Sequence, residues 1–165
     1  MGMIACYSEV DAKTIDAWKT QSSEEIMEAL EASEDVELYD MDKLWDGLHF
    51  LLTGESAGAP IKDNLLSEAV IGTDLFSQDE DSDFLSYIYP KRVHEIADVL
   101  DTMDIEAVLD AFSPSVFAAN QIYPSIWEES EKENLREELA EAFQGLKQFF
   151  HTTATKDKGI VVSIY

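Results

Sequence analysis

Basic residues are scarce in this sequence, and that scarcity is its strongest compositional bias. Eleven lysines and arginines stand against 35 aspartates and glutamates, which gives a formal net charge of -24 over 165 residues. Arg92 and Arg136 are the only arginines. A chain with this balance repels nucleic acid and anionic membranes and attracts basic surfaces. The composition therefore disfavours direct nucleic-acid binding, a nucleotide-handling site and attachment to a membrane surface.

Cysteine and long apolar runs are also nearly missing. Cys6 is the single cysteine, so an internal disulfide is excluded. Because Cys6 lies in the apolar run 3–7, we predict a buried, unreactive thiol rather than a nucleophile. The N-terminus lacks a basic segment followed by an apolar stretch, and no apolar run approaches the ~20 residues of a membrane span. These features predict a soluble, cytoplasmic, bacterial protein.

Motifs for a cofactor or a metal are missing as well. The sequence contains no phosphate-cradling glycine loop, no paired-cysteine zinc pattern and no Gly-x-Ser-x-Gly turn. Asp79, Asp81 and Asp83 are spaced like the first ligands of a calcium-binding loop. Phe84 stands where that loop requires glycine, and Pro90 stands where it requires a bidentate glutamate. We therefore expect no metal site and no cofactor.

The sequence does contain ample material for a hydrophobic core. Hydrophobic residues make up 45% of the chain, including 8 Phe, 3 Trp and 6 Tyr, which argues against a disordered acidic protein. Apolar and β-branched runs predict strands over 3–10, 84–89 and 160–165. Helical patterns predict helices over 12–18, 23–35, 41–53, 65–71, 90–100, 105–112 and 125–150. We predict one α+β domain over 1–165, with a small sheet and a majority of helices.

The carboxylates are concentrated in two stretches without a base. Nine lie within residues 20–42, and seven lie within residues 63–90. Four of them, Glu24, Glu28, Glu31 and Asp35, lie on one face of the predicted helix 23–35. Three more, Asp79, Asp81 and Asp83, lie in a predicted solvated loop over 77–83. We call these seven residues the acidic surface.

Repulsion along the helical part of the acidic surface has an energetic consequence. Like charges three or four residues apart each destabilise a helix by ~0.2–0.5 kcal/mol. Glu28 forms such pairs with both Glu24 and Glu31. Because this clustering of carboxylates destabilises the helix, it favours a role in binding a basic partner. The alternative is that the acidic residues only keep the protein soluble, as in an organism with a salty cytoplasm.

A second candidate site lies in the segment Trp45-Asp46-Gly47-Leu48-His49. Trp45 and His49 share a helix face, and Asp46 lies three residues before His49. On a functional interpretation, Asp46 orients His49 as a general base in a pocket walled by Trp45, Tyr123 and Trp127. On a structural interpretation these side chains belong to the core, and no nucleophile lies near His49 in the sequence. The structural interpretation is favoured.

Three segments also carry a family resemblance. They are Met1-Gly2-Met3-Ile4, then Trp45-Asp46-x-Leu48-His49-Phe50-x-Leu52-Thr53-Gly54, and last Ile122-Tyr123-Pro124-x-x-Trp127. In order and spacing they resemble the YfbM-like bacterial family across nearly the whole chain. That family is classed as a domain of unknown function with an α+β fold, so the resemblance implies an architecture and supplies no reaction or catalytic residues.

The sequence thus favours a non-enzymatic module that binds a basic protein through the acidic surface. In its sharpest form this is an immunity-type role, in which a small acidic protein covers the cationic cleft of a toxin domain. An enzyme or small-ligand binder with a pocket around Trp45, Asp46 and His49 is the alternative from another class. A nucleic-acid mimic, whose carboxylates are spaced like backbone phosphates, is a further alternative.

Overall fold

β-Branched and aromatic residues form the strands of one antiparallel sheet in the computed structural model, which describes residues 2–165. The strands are β1 (Ala5–Val10), β2 (Leu38–Asp42), β3 (Asp74–Leu75), β4 (Phe84–Ile88) and β5 (Gly159–Ile164). Their order in the sheet is β2-β1-β5-β4-β3. The C-terminal strand β5 is central and pairs with β1 on one side and β4 on the other.

Helices make up most of the remaining regular structure. The first four are α1 (Ala12–Trp18), α2 (Ser23–Ala32), α3 (Trp45–Thr53) and α4 (Leu65–Ile71). The others are α5 (Pro90–Thr102), α6 (Ile105–Leu109), α7 (Pro114–Ala119) and α8 (Lys132–Thr155), with a 3-10 turn at Glu129–Glu131 before α8. The predicted α+β class, with N-terminal, central and C-terminal strands and a majority of helices, is confirmed.

Alternation along the strands sends side chains to both faces of the sheet. On one face, Tyr7, Ile88 and Val162 are buried in the main core together with residues of α3 to α8. On the other face lies a second, smaller hydrophobic cluster, formed by strand residues and by α1 and α2. Its buried members are Val10, Ile15, Trp18, Ile26, Leu85, Tyr87 and Val161. The sheet therefore lies between two helical layers, and α2 covers the smaller cluster.

Three helix ends have residues that favour the start or the end of a helix. Ser22 and Glu25 make a reciprocal capping box at the start of α2, with N–H to oxygen distances of 3.2 and 2.9 Å. Gly54 ends α3 in a left-handed conformation with φ of 81°. Pro90 occupies the first turn of α5, as its fixed φ allows.

The predicted starts of two helices are wrong. The helix predicted over 41–53 begins only at Trp45, because residues 38–42 pair with β1 as the edge strand β2. The helix predicted from Ser125 begins only at Lys132, because the backbone of Glu128 is extended. Within residues 2–165, no helix combines the length and the apolar character needed to cross a membrane.

Candidate functional site

Helix α2 displays the first part of the acidic surface. Glu24, Glu28 and Glu31 are exposed on it, while Ile26 is fully buried on the opposite side. Asp35 is also exposed, but it lies beyond the helix, which ends at Ala32. The prediction that this helix continues to residue 35 is wrong. Negative side chains near a helix C-terminus are unfavourable, and α2 has no basic residue in its last turn.

The loop 77–83 displays the second part of the acidic surface. Asp79, Asp81 and Asp83 are all exposed. The Asp79 carboxylate accepts the Asp81 N–H at 3.0 Å, and the Asp79 N–H donates to the Ser77 hydroxyl at 3.1 Å. These bonds form a local turn that keeps the carboxylates directed towards solvent. Among residues 2–165, no group of three or more His, Cys, Asp or Glu side chains is arranged to hold a metal ion.

The C-terminal end of β5 borders the acidic loop and is within reach of the charge of Glu31 on α2. The loop 77–83 enters β4 at Phe84, which pairs with Ile164 of β5. The next residue, Tyr165, has its pKa raised to about 12 by a hydrogen bond with Cys6 and by burial, and further by the charges of Asp40 and Glu31. The charge of Glu31 therefore reaches Tyr165, which follows the strand residue that pairs with Phe84.

The basic side chains that form ion pairs do so elsewhere. Within residues 2–165, Arg92 pairs with Glu68 and Glu95 on α4 and α5, and Arg136 pairs with Glu106 and Asp110. Lys156 and Lys158 reach the buried carboxylate of Glu9 at 3.3 and 3.7 Å. In this part of the chain, no ion pair within 4.0 Å involves a residue of the acidic surface. The acidic surface therefore keeps its negative charge.

The three segments of the family resemblance contact one another. The Trp45 ring packs on the Tyr123 ring with 5.4 Å between centroids. The Trp45 indole N–H donates to the Met3 carbonyl at 3.0 Å, and the Met3 N–H donates to the Tyr123 hydroxyl at 2.7 Å. These segments, far apart in sequence, thus form one structural cluster.

Asp46 is a buried acceptor at the centre of that cluster. One carboxylate oxygen accepts the Ser56 hydroxyl at 3.0 Å and the Ala57 N–H at 2.7 Å. The other oxygen accepts the Tyr123 N–H at 2.8 Å. These bonds tie the loop after α3 and the segment before α8 to α3 itself. The hypothesis that Asp46 orients His49 is not supported, because the Asp46 oxygens are occupied by these other donors.

His49 is enclosed and bonded to two other parts of the chain. Its exposed fraction is 0%. Nδ1 lies 2.7 Å from the Glu55 carbonyl oxygen, and Nε2 lies 2.7 Å from the Ser67 hydroxyl. Because a carbonyl can only accept, Nδ1 carries the proton and Nε2 accepts from Ser67. Burial lowers the pKa of His49 below its ordinary value of 6.5, so the ring is neutral at pH 7.

Trp127 packs against Gly47, on the side of α3 opposite to Trp45. Its ring would lie 2.6 Å from a Cβ added at Gly47, and its centroid lies 4.7 Å from that of Phe117. The indole N–H donates to the Ile122 carbonyl at 2.8 Å. The predicted pocket around Trp45, His49, Tyr123 and Trp127 is therefore not formed: the tryptophans are buried, Tyr123 is half-buried and His49 is directed towards α4. These side chains hold the fold together.

Burial of neutral His49 predicts a loss of stability in mild acid. The unfolded chain binds a proton at His49 near pH 6.5, whereas the folded chain binds it only at lower pH. The contribution of His49 is therefore complete above pH 6.5 and decreases as the pH falls towards the folded-state pKa. We expect urea unfolding at pH 7.5 and 5.5 to show a larger loss for the wild type than for His49→Gln. Equal losses would contradict this account of His49.

Sequence reasoning missed Ser67 as a side-chain partner of His49. Ser67 lies 18 residues further along the chain, on α4, with its hydroxyl 2.7 Å from Nε2. A serine among the apolar residues of a short helix carries no pattern that points to a histidine on another helix. The buried Glu68 beside it, paired with Arg92 of α5, was missed for the same reason.

Comparison with known proteins gives a consistent result. The family model described as "Domain of unknown function (DUF1877)" matches residues 1–163. Protein YfbM of Escherichia coli strain K12 is 31% identical over 127 residues, which cover 76% of this chain and 75% of that protein. The crystal structure titled as a protein of unknown function, YfbM from Escherichia coli, superposes with a TM-score of 0.83 at 26% identity, covering 98% of this chain and 99% of the other. The predicted YfbM-like relationship is confirmed, and the chain belongs to the DUF1877 family of unknown function.

Proposed function

We propose that this protein is a binding module for a basic protein, which it engages through the acidic surface. The observation that carries the proposal is the separation of charges described above. The acidic surface is exposed and has no ion-pair partner in residues 2–165, whereas both arginines are paired on other elements. Such a surface offers its whole charge to a partner and needs no internal ion pair to be broken first.

Complementary charge acts mainly on the rate and the selectivity of association. A partner with a cationic face is steered from a distance, and the steering weakens as salt screens the charges beyond about 10 Å at 0.1 M ionic strength. Other acidic proteins, nucleic acids and anionic membranes are repelled by the same field. The proposed complex is therefore fast to form and strongly dependent on salt.

The sharpest form of the proposal is an immunity-type role. A small acidic protein of this kind would cover the cationic cleft of a toxin domain and so block its access to an anionic substrate. This form rests on size and charge, and the occurrence of a toxin-domain gene directly beside this gene would support it. In the alternative, a nucleic-acid mimic, DNA and this protein would compete for the same basic partner.

The experiment is affinity capture from the native organism at low salt. The test variant changes Glu24, Glu28, Glu31 and Asp35 to glutamine, and it keeps Glu25 because that side chain belongs to the capping box. The matched control changes four other exposed carboxylates to glutamine, so that the net charge is altered equally. They are Glu128, Glu133, Glu137 and Glu141, on and before α8.

We expect basic proteins to be captured by the wild type and by the matched control. The test variant should retain them at least about tenfold less well, because the attraction comes from the placement of the charges rather than from their total. Equal capture by all three proteins would remove α2 from the binding account. Added DNA that displaces a captured protein would favour the nucleic-acid mimic.

A further inference from the structure

A cavity of about 400 Å³ lies between α4, the segment 60–63 and the hairpin of β3 and β4. Two serines line it, Ser67 and Ser86, and each is only 1% exposed. Its other lining residues include the apolar side chains of Ile61, Ile71 and Phe84 and the carboxylates of Asp63, Glu68 and Asp74. The volume falls within the range of small-molecule sites, about 300–1,000 Å³. The lining residues lie outside the family segments, but Ser67 connects the cavity to His49 of one of those segments.

Ser67 is the serine of this cavity that has a base. Its hydroxyl lies 2.7 Å from Nε2 of His49, and the Glu55 carbonyl fixes the opposite ring nitrogen as a donor at 2.7 Å. Nε2 therefore presents its lone pair to the serine proton. Because burial lowers the pKa of His49, the ring is neutral and able to accept that proton at pH 7. Two hydrogen bonds thus connect a nucleophile, a base and a group that orients the base.

Ser86 provides an internal comparison. It lines the same cavity and is equally buried, but its hydroxyl donates to the Ile71 carbonyl at 2.6 Å. A carbonyl oxygen orients a hydroxyl and cannot remove its proton at neutral pH. The two serines therefore line the same cavity, but of the two only Ser67 is hydrogen-bonded to a base.

We propose that Ser67 is a nucleophile, activated by His49, that takes an acyl group from a small ester bound in this cavity. The Ser67 oxygen bonds to the ester carbonyl carbon while its proton passes to Nε2 of His49. The bond to the alcohol oxygen then breaks, and the alcohol leaves with that proton. Water attacks the resulting acyl-serine and gives a proton to His49. As the bond to Ser67 breaks, His49 returns that proton to the Ser67 oxygen and the carboxylic acid is released. The net reaction is hydrolysis of the ester.

Two further groups suit this chemistry. The Ile61 N–H donates to the Ser67 oxygen at 3.1 Å, so it favours negative charge on that oxygen as its proton leaves. Lys62 lines the same cavity, and among residues 2–165 it forms no ion pair within 4.0 Å. The lining combines apolar side chains with the carboxylates of Asp63, Glu68 and Asp74, so it disfavours an anionic substrate. The predicted substrate class is a small uncharged ester.

The test is covalent labelling with an alkyl fluorophosphonate, which reacts with activated serines. The Ser67 oxygen attacks phosphorus, fluoride leaves, and the proton is taken by His49. Intact mass measurement is expected to show one adduct per chain, and peptide mapping of the labelled wild type is expected to place it on Ser67. This mapping needs no substituted protein, so it decides the proposal whether or not a variant folds.

Three variants, each checked by thermal melting, sharpen the result. Ser67→Ala is expected to abolish labelling, and Ser125→Ala, which changes an exposed serine outside the cavity, to leave its rate within about twofold of wild type. His49→Gln keeps a hydrogen-bonding group but cannot take the proton, so its labelling should be at least about 100-fold slower. Absence of an adduct, an adduct on another residue, or equal labelling of His49→Gln would overturn the proposal.

Discussion

Replacement of Asp46 by alanine is expected to lower the free energy of unfolding by about 3–5 kcal/mol. The carboxylate accepts two backbone N–H groups and one hydroxyl, from Ala57, Tyr123 and Ser56, and it is 4% exposed. Alanine offers no acceptor, so these donors remain buried without partners, at about 1–3 kcal/mol each. Chemical denaturation followed by circular dichroism measures the change.

The control for Asp46 is an exposed aspartate. Asp35→Ala is expected to change the free energy of unfolding by less than about 0.5 kcal/mol, because Asp35 is solvated and forms no ion pair within residues 2–165. Asp46→Asn should fall between the two, since an amide keeps one of the two acceptor oxygens. A loss of less than 1 kcal/mol for Asp46→Ala would show that the three bonds add little to the fold.

Replacement of Trp127 by alanine is expected to have a similar effect, about 3–5 kcal/mol. The ring is 6% exposed, covers Gly47 of α3 and packs against Phe117 of α7. Its removal leaves a cavity between these helices and also frees the Ile122 carbonyl. The same denaturation experiment measures the loss, and Trp127→Phe is expected to recover part of it by filling most of the space.

Asp46 and Trp127 both hold the segment 122–127 against α3. The losses of unfolding free energy on replacing them should therefore not be additive. Asp46 binds the Tyr123 N–H, and Trp127 follows four residues later. Once either contact is lost, the segment 122–127 is free to move and the other contact is weakened. The double variant is therefore expected to lose less than the sum of the single losses, by about 0.5–3 kcal/mol. Strict additivity would mean that the two contacts act independently.

Elements that depend on local patterns were predictable from the sequence. The capping box at Ser22, the terminating Gly54 and the helix opened by Pro90 each involve residues within one or two turns. The strand β5 was predictable because its run of β-branched residues is buried on both faces, and all six of its residues are buried. In these places local preference and tertiary packing agree.

Elements that depend on a distant partner were not predictable. Strand β2 pairs along the edge with β1, and its alternation of Tyr39 and Met41 with Asp40 and Asp42 is too short to predict a strand. Helix α8 begins late because Trp127 turns back onto Gly47, which the spacing of apolar residues does not reveal. In both cases a tertiary contact overrides the helical signal.

The candidate sites show the same division. The exposure of the acidic surface followed from charge patterning, because clustered carboxylates remain in solvent. The partners of Asp46 and His49 did not follow from sequence, because a loop, α4 and the segment before α8 supply them. The segments that carry the family resemblance thus mark a structural cluster, and the resemblance by itself gives no functional site.

The most direct test of the central claim is the salt dependence of the affinity for a captured basic protein. Dissociation constants would be measured from 50 to 500 mM salt for the wild type, for the variant with glutamine at 24, 28, 31 and 35, and for the matched control. The account predicts that wild-type and control affinities fall steeply and in parallel with salt, while the variant is weaker at low salt and has a shallower slope. Identical slopes and affinities for all three proteins would contradict binding through the acidic surface.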